Sequence, residues 1–359
     1  MMLGDLGHDV LKIERPGDGD QTRAWGPPWQ DGQSAYYLSV NRNKRSLSLN
    51  LKTEEGRDIF RRLAAQSDVL VENFRAGELD ALGLGYDALS QGNPRLVFCS
   101  ITGYGQTGPW KDRPAYDLAL QAEAGWMSIT GETGAAPVRV GVAIIDLLTA
   151  HFAVQAILAA LLERERTGRG RRLDVAMLDC ATASLSYIAQ NVLATGESPK
   201  RMGSRHPSIV PYQAFPTRDG FIVVAAGSQP IWERLCLALG RPELAADPRF
   251  TDNPKRVTNR DALEGILNSV FATRSTTEWV AQLQTQDIPA TPVNDLAAAL
   301  DLPPLRERGM IGPSFVGSPV ARDRQHRRAP RLGEHSEEIL RELGFDGARI
   351  ERLRSAGVV

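Results

Sequence analysis

Two sets of side chains in this sequence have the types and spacing to do chemistry. The first is a single carboxylate, Asp146, between the apolar run Val142 to Ile145 and a stretch from Leu147 whose apolar residues repeat at helical spacing. An aspartate at a helix start reads as an N-cap that accepts the orphan amides of the first turn. The same amides and the helix dipole hold a carboxylate ionised, and an ionised, fixed carboxylate is a nucleophile toward an acyl carbon. The two readings are compatible, and both stay open. The second set is basic: Arg15, Lys44, Arg45, Lys52 and Arg75 recur near the predicted ends of early strands, where open α/β sheets take their ligands. Each alone reads as solvated surface charge. Together they suit a ligand that carries several phosphates.

A third motif is sharper in form and weaker in context. Gly103-Tyr104-Gly105-Gln106-Thr107-Gly108 spells a dinucleotide loop just after a predicted strand. Such a loop must open a helix whose N-terminal amides hold pyrophosphate, and Pro109 to Pro114 cannot continue as one. A glycine-shaped turn is the better reading, with an NAD-dependent oxidoreductase as a remote alternative. The five histidines show no metal-ligand spacing, and His151, inside the predicted long helix, reads as a packing residue.

These residues need elements to hold them. Asp9 to Glu14, Asp68 to Glu72, Leu96 to Ile101 and Arg172 to Ala176 read as strands, and Asp58 to Ala65 as a helix with Ile59, Phe60, Leu63 and Ala64 on one face. A long helix is predicted from Leu147 to about Arg166, stopped by Gly168, and another from about Asp179 to Leu193. Strands alternating with helices predict an α/β fold, an open Rossmann-like parallel sheet. After Thr195 to Pro199 the pattern changes. Tyr212 to Phe215 and Phe221 to Ala225 flank a hairpin turn, followed by helices near Trp232 to Leu239, Asp261 to Phe271 and Thr276 to Leu283. The expected organisation is a large domain over 1–198, a smaller α+β domain over 199–304, and a return to the large domain over 305–359 through helices at Ser336 to Leu343 and near Ala348 to Leu353.

Composition excludes several functions. Among 359 residues, 42 Lys and Arg balance 43 Asp and Glu, so no basic excess drives nucleic-acid binding. Cys99, Cys180 and Cys236 are far apart, which argues against a disulfide framework or a zinc site and fits a reducing cytoplasm. The apolar stretch Ala153 to Leu162 is too short to span a bilayer, so no membrane partner is expected.

From Asp9 to its end the chain resembles the class III (CaiB/BaiF-type) CoA-transferases. The resemblance rests on ordered blocks: Lys12 to Arg23, Asn41 to Lys52, Val71 to Gly77, Leu82 to Leu89, Ser100 to Pro109, Arg113 to Asp117, Arg164 to Asp179 and Ala329 to Leu340. Within the family, Tyr36 to Lys44, Cys99 to Pro109 and Ser208 to Phe215 resemble the succinyl-CoA:dicarboxylate enzymes, the glutarate and hydroxymethylglutarate CoA-transferases.

The resemblance implies that Asp146 matches the nucleophilic aspartate, which attacks an acyl-CoA to give first a mixed anhydride and then an aspartyl-CoA thioester. It implies CoA contacts at Arg15, Leu49, Lys52, Asn73, Phe74, Arg75 and Tyr116. It also implies a small carboxylic acid as co-substrate, an interlocked homodimer, and no permanently bound cofactor, coenzyme A entering as a thioester substrate. The substrate loop of some relatives falls near Gly203 to Val210, which makes Gly203 and Ser204 candidate substrate contacts, although the loop here is not glycine-rich, which argues against the lid role it has in those relatives. Arg201 or His206 could supply the cation for a distal carboxylate.

Three departures accompany the likeness: Ala81 replaces an arginine that some relatives use for CoA, the segment from Gly309 to Arg331 is short, and the chain starts after the family's first strand and helix start. The last of these reads as a start codon set too far downstream. The nearest alternative is the α-methylacyl-CoA racemase branch, whose Gly-His-Asp is replaced here by Ala115-Tyr116-Asp117, leaving no histidine base. An inactive paralogue is the other.

Overall fold

Val10–Glu14 (β1) runs parallel to Lys44–Ser48 (β2), in register from Val10 opposite Lys44 to Glu14 opposite Ser48. A second parallel group orders Val69–Glu72 (β3), Val97–Thr102 (β4) and Arg172–Ala176 (β5), with β4 central and buried at nearly every position. The apolar start of β4, Val97 to Cys99, and its burial even at Ser100 and Thr102 suit a strand covered on both faces. In this computed structural model residues 1–321 and 325–359 are described, so part of the Gly309 to Arg331 segment lies outside the described residues.

The chain divides into two compact units. The first comprises 1–124, 141–189 and 303–359, and the second 125–140 and 190–302. The return of the C-terminal tail has a packing cause. Ile339, Leu340, Ile350 and Leu353 join Leu47, Leu49, Leu63, Leu96 and Phe98 in one buried cluster, so the tail completes the core that the early strands begin. The sequence reading put 125–140 and 190–198 in the large domain, whereas both group with the second unit.

In the first unit, the helix Glu54–Gln66 is capped by Thr53 and buries Ile59, Phe60, Leu63 and Ala64, the face its spacing predicts. Asp117–Glu123 (α1) precedes a long helix, Ile144–Thr167 (α2), which lies on β4, β5 and α1. The stretch Ala153 to Leu162 understates α2: by length and composition this helix is long and apolar enough to cross a membrane, yet it serves here as a helix of the α/β unit. It also starts earlier than read, at Ile144 rather than Leu147. The helix expected from Asp179 to Leu193 is two, Met177–Ala183 and Ser186–Thr195. Between them Ser184 turns its hydroxyl back onto the Cys180 carbonyl and Ser186 takes a φ of 50°, which ends the first helix.

One buried network fixes the end of β1. Glu14 accepts from Arg23 Nε and Nη2 at 2.8 and 2.7 Å, from Ser46 Oγ at 2.6 Å and from the Asp20 amide at 3.1 Å. Burial pushes its carboxyl up, but Arg23 and Ser46 outweigh burial and hold it below the usual range. Arg23 also reaches the Tyr37 hydroxyl and the Pro330 carbonyl, so this carboxylate ties β1, β2, the 20–37 segment and the tail together.

The second unit is built on an antiparallel sheet in which Phe221–Ala225 (β7) is flanked by Tyr212–Pro216 (β6) and Ala290–Pro292 (β8). Its core stacks Phe215 on Phe271 at 5.0 Å and Phe271 on Trp279 at 5.3 Å, with Trp232 fully buried beside them. Arg260–Phe271 (α3) supplies one wall.

Candidate active site

Asp146 is the third residue of α2, with Ala143 at the cap position, so the N-cap reading is corrected. The cap comes from elsewhere. Asp117, the first residue of α1, turns Oδ1 to the amides of Ile145 and Asp146 at 2.7 and 3.3 Å, while its Oδ2 accepts from the fully buried Gln121 at 2.6 Å. A carboxylate 29 positions back in the chain therefore satisfies the helix's orphan donors and leaves the Asp146 side chain unspent.

The electrostatics follow from that geometry. Asp146 opens to solvent on one side and is crowded by protein on the other. Burial first, and the Asp117 carboxylate second, push its pKa up to about 6. This corrects the expectation that the helix amides hold it firmly ionised, because Asp117 occupies those amides. At neutral pH Asp146 is still mostly ionised, and it is more basic than an ordinary aspartate, the condition that favours attack on a carbonyl.

Sequence reasoning missed two neighbours. Asp117, the first residue of α1, carried no local signal for capping a helix that begins more than twenty positions on. Tyr36 carried none. Its hydroxyl is pushed up by burial and then by the charges of Asp146 and Asp117, and its ring meets Trp25 edge-on at 4.9 Å.

The basic residues separate into two groups. Lys44 opens β2, where burial and then Lys12 lower its pKa to about 8, and Arg45 lies buried within β2, bound by Asp9, Glu338 and Glu342. Neither is placed for a phosphate. Arg15 lies just after β1, Lys52 shortly after β2, and Asn73, Phe74 and Arg75 just after β3, all exposed or partly so. Leu49 follows β2 and is only 1 % exposed, its side chain in the core and its amide on the Glu14 carbonyl. Tyr116, just before α1, is 67 % exposed. These positions share the first unit with Asp146. His151 is exposed on α2, donating from Nδ1 to the Leu147 carbonyl, and is not the packing residue expected.

The Gly103 to Gly108 loop opens no helix; the next is α1. Gly103 is required because a Cβ there would meet the Ala115 Cβ at 2.2 Å. Gln106 is clamped by β5, its amide on Asp174 and its side chain on Arg172.

The remaining candidates lie in the second unit. Arg201 spends its guanidinium on the carbonyls of Glu132 and Ala135, and a Cβ at Gly203 would strike the Glu132 carboxylate at 2.6 Å. Ser204 Oγ accepts from the Ala214 amide, and His206 Nδ1 accepts from the Ser208 amide. The segment they begin is held firmly. Arg260 donates to the carbonyls of His206 and Pro207, Arg256 to that of Val210, Asn253 bonds both Ser208 and Val210, and Glu264 pairs with Arg205 at 2.8 Å.

A family model described as CoA-transferase family III matches residues 1–336. The human protein named succinyl-CoA:glutarate CoA-transferase is 42 % identical, with 100 % of this chain and 85 % of that protein covered. An Acetobacter aceti protein named acetyl-CoA:oxalate CoA-transferase is 40 % identical over 97 % of this chain and 92 % of its own length. Among solved structures, a CaiB/BaiF family protein from Brucella suis superposes with a TM-score of 0.84 at 42 % identity, covering 95 % of this chain and 93 % of that one.

Proposed function

The chain belongs to CoA-transferase family III, and from that premise we propose that Asp146 carries CoA from an acyl-CoA donor, succinyl-CoA, to a dicarboxylate such as glutarate. The observation that carries this reading is the basic, unspent carboxylate at the head of α2. One oxygen of Asp146 adds to the thioester carbonyl and the C–S bond breaks, giving a mixed anhydride and CoA thiolate. The thiolate then attacks the aspartyl carbonyl of that anhydride, releasing the donor carboxylate and leaving CoA as an aspartyl thioester. The acceptor carboxylate repeats the exchange in reverse order, and Asp146 is regenerated. Each step trades one activated acyl group for another of similar energy, so the protein's task is to orient the partners and exclude water.

Arg15, Lys52, Asn73, Phe74, Arg75 and Tyr116 are the CoA contacts in this reading, with the three cations serving its phosphates. Mixing the protein with succinyl-CoA, adding borohydride or hydroxylamine and mapping peptides by mass is expected to mark Asp146. A mark on another residue relocates the site, and transfer without any mark overturns the covalent route.

The same reading includes an interlocked homodimer and a cytoplasmic location. Only 28 % of the most apolar window of α2 is buried, and Leu147, Phe152, Leu158 and Leu162 stand exposed along it. A second copy covering this face removes that apolar surface from water. Light scattering is expected to return twice the 39.2 kDa chain mass; a species of one chain mass at micromolar concentration overturns the dimer.

A further inference from the structure

The turn after β3 is built on a carboxylate that the proposed chemistry leaves unused. Glu72 ends β3 opposite Ser100 of β4 and is 8 % exposed. Its Oε2 accepts from the Phe74 amide at 2.8 Å. Burial raises its pKa, with the Ser100 hydroxyl, the Phe74 amide and Arg172 pulling the other way. An amide in an exposed turn is satisfied by water without loss, whereas a buried carboxylate carries a desolvation cost that stability alone does not require.

The rest of the turn is held in the same manner. Asn73 Nδ2 donates to the Ile101 carbonyl at 2.7 Å, and the Arg75 carbonyl accepts from the Glu78 amide at 3.0 Å. The main chain is thus fixed from beneath, while Phe74 remains 43 % exposed and Arg75 faces solvent. We infer that Glu72 is a positioning residue for acyl-CoA: by holding the Phe74 amide, it sets the conformation in which Asn73, Phe74 and Arg75 meet the CoA moiety. This rests on the CoA-binding reading of that turn.

Kinetics with succinyl-CoA and equilibrium binding of CoA on Glu72→Gln, Glu72→Asp and Glu72→Ala test it. Gln keeps an oxygen at the same reach, and its KM is expected within about threefold of the parent. Asp keeps the charge but ends one methylene short, and Ala removes the group. Both are expected to raise KM for succinyl-CoA and Kd for CoA about tenfold, with kcat within about threefold, the scale of one lost hydrogen bond. If the Ala variant fails to fold, the contrast of Gln with Asp decides. A normal Asp variant beside an impaired Gln variant overturns the inference, because charge and not reach would then matter. So does a lowered Tm with parental KM. A wild-type protein that neither binds CoA nor transfers it overturns the underlying reading as well; an active wild type with Glu72→Ala at parental KM overturns this inference alone.

Discussion

Asp146→Asn is expected to lower the rate of CoA exchange by roughly a thousandfold or more, the scale of removing a covalent nucleophile, while the folded state is kept. The amide has nearly the same shape, but its neutral oxygen is a far weaker nucleophile toward the acyl carbon than a carboxylate. Stability should move in the opposite direction, and the sign follows from linkage. The pKa of Asp146 is raised in the fold, from an ordinary 3.8 to about 6, so the folded state holds this proton more tightly than the unfolded chain. Ionised Asp146 therefore opposes folding. The effect is absent below about 3.8 and complete above about 6. The Asn variant escapes it, and thermal melts should show it no less stable than the parent at pH 7.5, with any advantage fading as pH falls through that window. Parental transfer rates in a folded Asn variant would remove Asp146 from the chemistry.

The sequence pattern located this carboxylate and misread its surroundings, and the reason is the same in each case: pattern reports what is near in the chain. The apolar runs of β3 and β4 and the one-sided face of Glu54–Gln66 follow from local periodicity, and they stand where they were expected. The tail helices join the buried cluster that the early strands begin, a long-range contact that their own spacing does not state. Asp117 was not recognised as the cap of α2, since no local signal joins residues 29 positions apart. Arg45 and Arg75 look alike as letters. One points into three carboxylates at the start of a strand and the other stands after the end of one. His151 shows the reverse error, for helical spacing alone cannot say which face of an apolar helix is covered.

The pair Asp117 and Asp146 separates charge from position, and two variants tell them apart. Asp117→Asn keeps an oxygen for the amides of Ile145 and Asp146 and removes the negative charge that helps raise the Asp146 pKa. The acid limb of kcat, expected in the parent below about pH 6, should move to lower pH in this variant, with kcat on the neutral plateau reduced as the nucleophile becomes less basic. Asp117→Ala also strips the cap and removes the acceptor of two helix amides. Each such loss costs about 1–3 kcal/mol where water cannot enter, so Tm should fall. With the first turn of α2 unanchored, Asp146 is no longer held against its target, and a loss of roughly 10–100-fold in kcat is expected, beyond that of the Asn variant. If Asp117→Asn leaves the acid limb unmoved, then Asp117 is not the charge that raises Asp146, and burial alone must account for the shift. If Asp117→Ala matches Asp117→Asn in both rate and melting, the cap does no positioning. The order of the two effects thus decides whether the fold supplies this carboxylate with its basicity, its orientation, or both.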